Sequence, residues 1–162
     1  SSSRGRASAR GPGMEELVEA ARRAIKGNDE AALRDAIRRG ADVNGMVPCE
    51  DRKTGARGLF PLLHLAASEA LAGMCEILLA EGADTNIQST IDGAFSLHHA
   101  AQICSTACVR LLLRAGTDVN AREHNFLTPL HFASSKGRVD AAKLLIAAGA
   151  NLEARDRQGT TP

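Results

Sequence analysis

The sequence predicts an all-α protein, a solenoid of stacked helical repeats, on three observations. A pentapeptide recurs as Leu63-His64-Leu65-Ala66-Ala67, Leu97-His98-His99-Ala100-Ala101 and Leu130-His131-Phe132-Ala133-Ser134. A second marker follows each copy: Gly82-Ala83-Asp84-Thr85-Asn86, Gly116-Thr117-Asp118-Val119-Asn120 and Gly149-Ala150-Asn151-Leu152-Glu153. The steps from His64 to Gly82, His98 to Gly116 and His131 to Gly149 are identical, and the histidines themselves recur at an almost constant interval. Self-similarity at such a period marks units that bury their apolar faces only by stacking on one another.

Thr128-Pro129-Leu130-His131 extends the last pentapeptide backwards. These residues closely resemble the ankyrin repeat family, whose unit of about 33 residues carries a Thr-Pro-Leu-His-x-Ala signature. The resemblance spans roughly residues 14–162. It implies units of two antiparallel helices, each followed by a protruding β-hairpin-like finger. Residues 14–44 are expected to form an N-terminal capping repeat, 45–86 a repeat with an inserted finger, and 87–120 and 121–153 two regular repeats. Residues 154–162 begin a further repeat that is cut short, since Thr161-Pro162 lies one full period after Thr128-Pro129.

Local physics agrees along the chain. Residues 1–13, with Ser, Gly and Arg and no acid, read as a flexible basic tail. From Met14 to Lys26 the chain is amphipathic, with Leu17, Val18, Ala21, Ala24 and Ile25 on one side. Its other side carries Glu15, Glu16, Glu19, Arg22, Arg23 and Lys26, the polar face that a terminal unit needs. Arg22 stands where the histidine would be. In the last complete unit Thr128 suits an N-cap and Pro129 the first helical position. The first helix then runs to about Lys136. The second, Asp140 to about Ala148, places Ala141, Leu144, Leu145 and Ala148 at helical spacing, and Gly149 fits a left-handed C′ residue. Leu78, Leu112 and Leu145 occupy equivalent core positions.

One unit is irregular. The step from Gly40 to Gly82 is longer than those from Gly82 to Gly116 and from Gly116 to Gly149. The excess falls in the first finger, over residues 45–58, a mixed-charge loop with Glu50, Asp51, Arg52, Lys53 and Arg57, its stem limited by Pro48. Insertions in repeat proteins map to loops on one face, often the binding face; a surface loop also tolerates length at small entropic cost.

Composition narrows the function classes. Over 162 residues, 44% are hydrophobic, enough for a real core, and the formal charge is +1. A dedicated nucleic-acid or membrane surface needs a strong positive field. Four Phe and no Trp or Tyr leave little for a base-stacking platform. No apolar run approaches the roughly 18 residues of a membrane span, and no export signal opens the chain. Cys49, Cys75, Cys104 and Cys108 lack a disulfide framework spacing, so reduced thiols in the cytoplasm or nucleus are expected.

No catalytic constellation emerges. His64, His98 and His131 lie on successive units about 10 Å apart, too far to share one zinc ion with ligands at about 2 Å. The resemblance makes each a structural histidine near a helix start. Only His131 has the matching hydroxyl, on Thr128; Pro61 and Phe95 take its place elsewhere. His98, His99, Cys104 and Cys108 are the one metal-like cluster, yet Cys104 falls at the inter-helix glycine position and Cys108 at a core position. Gly11-Pro12-Gly13 and the segment Gly55 to Gly58 match no phosphate loop. Arg4 to Ser8 is a weak match to a kinase site.

The sequence therefore reads as a non-enzymatic scaffold or adaptor, monomeric and without cofactor, holding another protein. The alternative is the substrate-targeting module of a larger enzyme, a kinase or ubiquitin ligase. In the ankyrin resemblance the fingers and the exposed face of the first helices form the binding surface. That assigns it Arg52, Lys53, Arg57, Phe60, Ser68 and Glu69, then Ile91, Asp92, Ala94, Gln102 and Ile103. The next unit adds His124, Asn125, Leu127, Ser135 and Lys136, and the last Arg157 and Gln158. Ile91, Ile103 and Leu127 are expected to form an exposed apolar strip. The resemblance also implies hydroxylation of finger asparagines, with Asn86 and Asn120 as sites; the same residues can serve only to shape the turn.

Overall fold

The structure, a computed structural model, describes residues 12–50 and 55–162. Most of the basic tail, including Arg4 to Ser8, lies outside the described residues, as do Asp51, Arg52 and Lys53. Four helix pairs follow one another: α1 (Met14–Lys26) with α2 (Glu30–Arg38), α3 (Leu62–Ser68) with α4 (Ala72–Ala80), α5 (Ser96–Ile103) with α6 (Thr106–Arg114), and α7 (Pro129–Ser135) with α8 (Val139–Ala147). The first helices pack in the row α1–α3–α5–α7 and the second in the row α2–α4–α6–α8.

Small residues set the spacing of the first row. Ala66, Ala67, Ala100, Ala101 and Ala133 are completely buried, so neighbouring backbones approach closely. Leu78, Leu112 and Leu145 are also completely buried and fill the gap between the rows. In α1 Leu17, Ala21, Ala24 and Ile25 are buried, while Glu19 and Arg22 pair at 2.7 Å on the flank. The Asp29 carboxylate caps α2 by accepting from Ala32 N at 2.9 Å, and Thr128, the expected N-cap, is extended before Pro129 at the first position of α7.

The inserted segment is not an open loop. Strands β1 (Met46–Glu50) and β2 (Arg57–Pro61) form an antiparallel hairpin, with Met46 opposite Pro61 and Glu50 opposite Arg57. Pro48, which has no N–H, sits opposite Leu59 on the exposed part of the ribbon. The hairpin leans on the next finger: Leu59 N donates to Thr90 Oγ1 at 2.8 Å, and Thr90 N donates to Leu59 O at 3.1 Å.

Each pair turns through one left-handed residue. These are Asn28, Ala70, Cys104 and Gly137, at φ 52°, 58°, 67° and 63°. Only the last unit has the residue that adopts this region without cost. Ala70→Gly and Cys104→Gly should therefore each stabilise the array by about 0.5–1 kcal/mol, read as a rise in urea midpoint at unchanged slope. A lower midpoint in both variants would show that these turns are not left-handed.

Candidate partner-binding site

The fingers and the first helices enclose a trough along one side of the array. Its C-terminal part, about 900 Å³, is lined by Phe60, Ile91, His99, Gln102, Leu127, Phe132 and Lys136, among others. A smaller part of about 400 Å³ continues towards the cap, where Arg22, Lys26 and Glu69 join the lining. Phe60, His99 and Gln102 belong to both, so the parts meet at the middle of the array.

The recurring histidines hold the trough together. His64 Nε2 donates to Ala94 O at 2.8 Å, His98 Nε2 to Leu127 O at 3.0 Å, and His131 Nε2 to Thr160 O at 3.0 Å. Each bond ties a first helix to the following finger. The other ring nitrogen looks back at its own helix start. His98 Nδ1 accepts from Phe95 N at 3.2 Å, and His131 Nδ1 accepts from Thr128 N at 3.1 Å and lies 2.9 Å from the Thr128 hydroxyl. Pro61 has no N–H to offer, and His64 Nδ1 is buried without a partner. Burial, then the neighbouring His99, push His64 down to about 3; burial above all takes His98 to about 4. Burial also lowers His99, whose Nε2 has no partner. Its ring lies 5.2 Å from Phe60 and 5.6 Å from His64.

The fingers are joined edge to edge by single backbone bonds. His124 N donates to Asp92 O at 3.0 Å, and Arg157 N donates to Asn125 O at 2.9 Å, continuing the contact between Thr90 and Leu59. Finger carboxylates brace their own turns. Asp92 accepts from the Ser89 hydroxyl and from Ala94 N; burial pushes its pKa up, but these bonds and nearby His99 outweigh it and hold it below the usual range.

The ankyrin repeat profile matches residues 63–156, more than half of the chain, as three copies. The chain belongs to the ankyrin repeat family. Among curated relatives, the Notch protein of Drosophila melanogaster is 34% identical over 136 residues, 75% of this chain and 5% of that protein. Protein phosphatase 1 regulatory subunit 27 of Mus musculus is 39% identical over 70 residues, 43% of this chain and 46% of that protein. The E3 ubiquitin-protein ligase KEG of Arabidopsis thaliana is 35% identical over 86 residues, 53% of this chain and 5% of that protein. The chain thus spans less than half the length of each of these relatives. Ankyrin repeats are protein-interaction modules. No helix among the described residues is long and apolar enough to cross a membrane.

Within this ankyrin array the expected surface residues fare unequally. Phe60, Asp92, Gln102, Leu127 and Lys136 line the trough, and Glu69 lines its cap end. Arg57 projects from the hairpin and pairs loosely with Glu50 at 3.7 Å. Ile103 is 37% exposed and stands between Glu69 and Lys136 in repeat register. His124, Asn125 and Arg157 are exposed on the fingers. Ala94 is not a surface residue: it is completely buried, because its carbonyl receives His64. Ile91 and Leu127 are only half exposed. A β-carbon on Gly58 would collide with Ile91, so the hairpin covers that side chain. The apolar strip thus reduces to Ile103 with partly covered neighbours.

Asn120 is engaged: its Oδ1 accepts from Asn151 N at 2.7 Å and its Nδ2 donates to Gly149 O at 3.3 Å. Asn86 is exposed, its backbone N bound to Asp84 at 2.8 Å. Among the described residues no group of three or more His, Cys, Asp or Glu could hold a metal ion. Cys108 instead meets Cys75 across the second-helix row, with sulfurs 3.8 Å apart; that bond and burial keep the Cys75 thiol protonated. Sequence reasoning missed this pair, although the two cysteines are one period apart. It also missed Phe126 and Arg122 on the last complete finger.

The buried imidazoles give the stability a pH dependence with a definite sign. Folded His64 and His98 titrate near 3 and 4, below the ordinary 6.5. Below pH 6.5 the unfolded chain therefore binds more protons, and stability is lost as pH falls. Between pH 7 and 5 the loss should be on the order of 3 kcal/mol, measured by urea denaturation at fixed ionic strength. Constant stability across that interval would contradict the buried neutral state.

Proposed function

We propose that this chain is a protein-binding adaptor, monomeric, working in the cytoplasm or nucleus, which holds a partner protein along the trough and the finger edges. The observation that carries the reading is the trough itself. It is concave and lined by Phe60, Leu127 and Phe132. His99 and Gln102 line its centre, and the exposed Ile103 stands in repeat register between Glu69 and Lys136, which line it. A buried apolar core with a polar rim is the layout of a protein interface. The regulatory-subunit relatives support a role in holding other proteins rather than in catalysis. Arg52, Lys53 and Arg57 give the inserted finger cations that steer a partner, while the trough supplies the dry contact.

A second reading has a specific motive, the likeness to a ubiquitin ligase of which this chain spans only a small part. In that reading the array is the substrate-targeting module of a larger enzyme and uses the same trough.

Affinity capture of a partner, followed by surface-plasmon kinetics, tests both readings at the level of the site. Ile103→Asp should raise the dissociation rate about tenfold or more, because it puts a charge into the dry contact, where desolvation costs more than a neighbouring ammonium returns. Arg57→Glu should instead slow association and flatten its salt dependence. Both variants should melt like the parent. Parent-like binding by both, with loss on changing Glu76 and Arg110 on the second helices, would place the site on the opposite face.

Finger hydroxylation is a separate proposal. Asn86 is the better substrate of the two asparagines, since the Asn120 amide is held on both sides. Peptide mass measurement after incubation with an asparaginyl hydroxylase should show Asn86 modified ahead of Asn120. No added oxygen at Asn86 refutes the proposal.

A further inference from the structure

The tip of the third finger breaks the repeat in a way that packing does not explain. The fingers place Gly93, Phe126 and Gly159 at equivalent positions, each one repeat period after the last. All three are left-handed, at φ 72°, 64° and 80°. Glycine adopts this conformation freely, whereas for a bulky side chain it is an outlier. The turn closes equally well with glycine: Phe126 N donates to Glu123 O at 2.9 Å, and Gly159 N to Asp156 O at 3.0 Å. Phe126 is 45% exposed, so nearly half of a bulky residue stands in solvent at a strained turn. Strain held at an exposed aromatic points to a role outside the fold.

The ring has a particular setting. The Arg122 and Arg157 guanidinium carbons lie 5.5 and 5.6 Å from its centroid. Each arginine is anchored by one hydrogen bond to a carbonyl of a neighbouring finger: Arg122 to Arg155 O at 3.2 Å, and Arg157 to His124 O at 3.1 Å. Arg155 adds a third cation, bonded to Gly159 O at 3.1 Å. A guanidinium has five donors, so most remain available after such an anchor. The acids at these two tips are turned inward. Glu123 is buried and accepts from Asn125 N at 2.7 Å and Leu127 N at 3.0 Å; Asp156 accepts from Gln158 N at 2.9 Å and Thr160 N at 2.8 Å. The ion pairs among the described residues involve Arg22, Arg23, Arg39 and Arg57, and none of these three. Among the described residues the tip thus carries three arginines without a carboxylate partner, held around an exposed aromatic ring.

We propose that this tip is a second binding site, for an acidic peptide segment of a partner protein that carries an apolar side chain. The carboxylates would take the free guanidinium edges, and the apolar side chain the open part of the Phe126 ring. Anchoring by single carbonyl bonds pre-organises the arginines and reduces the cost of ordering them on binding. The site rests on the protein-binding reading but on residues other than those that line the trough: Arg122, Phe126, Arg155 and Arg157.

The test uses the whole chain, labelled with nitrogen-15, and the peptide acetyl-Glu-Glu-Leu-Glu-Glu-amide followed by NMR titration. Saturable shifts are expected on the side-chain Nε–H signals of Arg122, Arg155 and Arg157, weakening as salt is raised. Arg157→Gln and Phe126→Gly should each reduce affinity about fivefold or more, and Phe126→Tyr should retain it. Phe126→Gly should at the same time raise Tm by about 3 °C, which a purely structural aromatic would not do. Ile103→Asp should leave the peptide affinity unchanged, which separates this site from the trough. The proposal is overturned if Phe126→Gly binds like the parent, if Ile103→Asp abolishes the shifts, or if a lysine-for-glutamate peptide or a short single-stranded DNA binds equally well.

Discussion

The hydrogen bond from a buried histidine to the carbonyl of the following finger is the constraint on which the rest of the array depends. A finger of about eight residues has too little apolar area to choose its own position. His64, His98 and His131 supply that position, each reaching a carbonyl 29 or 30 residues ahead. The bond works only if the first helix is already packed, because the imidazole stands at its third position. It also works only if the next finger has folded back. Each unit therefore needs its successor to satisfy its own buried donor, a local cause for the nearest-neighbour cooperativity of repeat proteins.

Once the histidines set the fingers at one spacing, the fingers can join. Thr90 to Leu59, His124 to Asp92 and Arg157 to Asn125 form a ladder along their edges, and Asn44 to Asp84 and Asn120 to Asn151 repeat it at the roots. The result has a floor of first helices and a wall of fingers, with the trough between them. The inserted hairpin obeys the same rule. It is longer than its neighbours, but it enters the ladder at Leu59 and covers Ile91.

Most of the fold was legible because it is periodic. The constant step from histidine to glycine located His64, His98 and His131 with Gly82, Gly116 and Gly149, and the helical phase placed Leu78, Leu112 and Leu145 in the core. The left-handed turn at Cys104 was also readable, since glycine stands at the aligned position. The insert was harder: length alone placed it in a finger, but its pairing with Thr90 depends on a neighbour one unit away. The same limit applies to the site. Ala94 looked like a surface residue because the ankyrin resemblance assigns its finger position to the binding surface, while its burial goes with a carbonyl bond that the sequence does not mark. Ile91 looked exposed because nothing in the one-dimensional pattern shows the hairpin leaning over it. Phe126 was visible in principle, as an aromatic where two aligned units have glycine, but a position that fails to recur carries no periodic signal.

That departure shows how the array separates holding from binding. The polar groups that repeat are spent internally: imidazoles on carbonyls, finger carboxylates on their own turn amides, asparagines on the next root. Those carboxylates stay ionised but are turned onto backbone N–H groups, while the arginines are tied only by a single carbonyl each. The exposed edge of the last fingers therefore offers guanidinium donors that no side-chain carboxylate has taken. Positions that hold the solenoid together must repeat, since every unit needs them. Positions that recognise something outside it are free to differ from unit to unit, so within a repeat protein a strained, exposed exception is where recognition is to be sought.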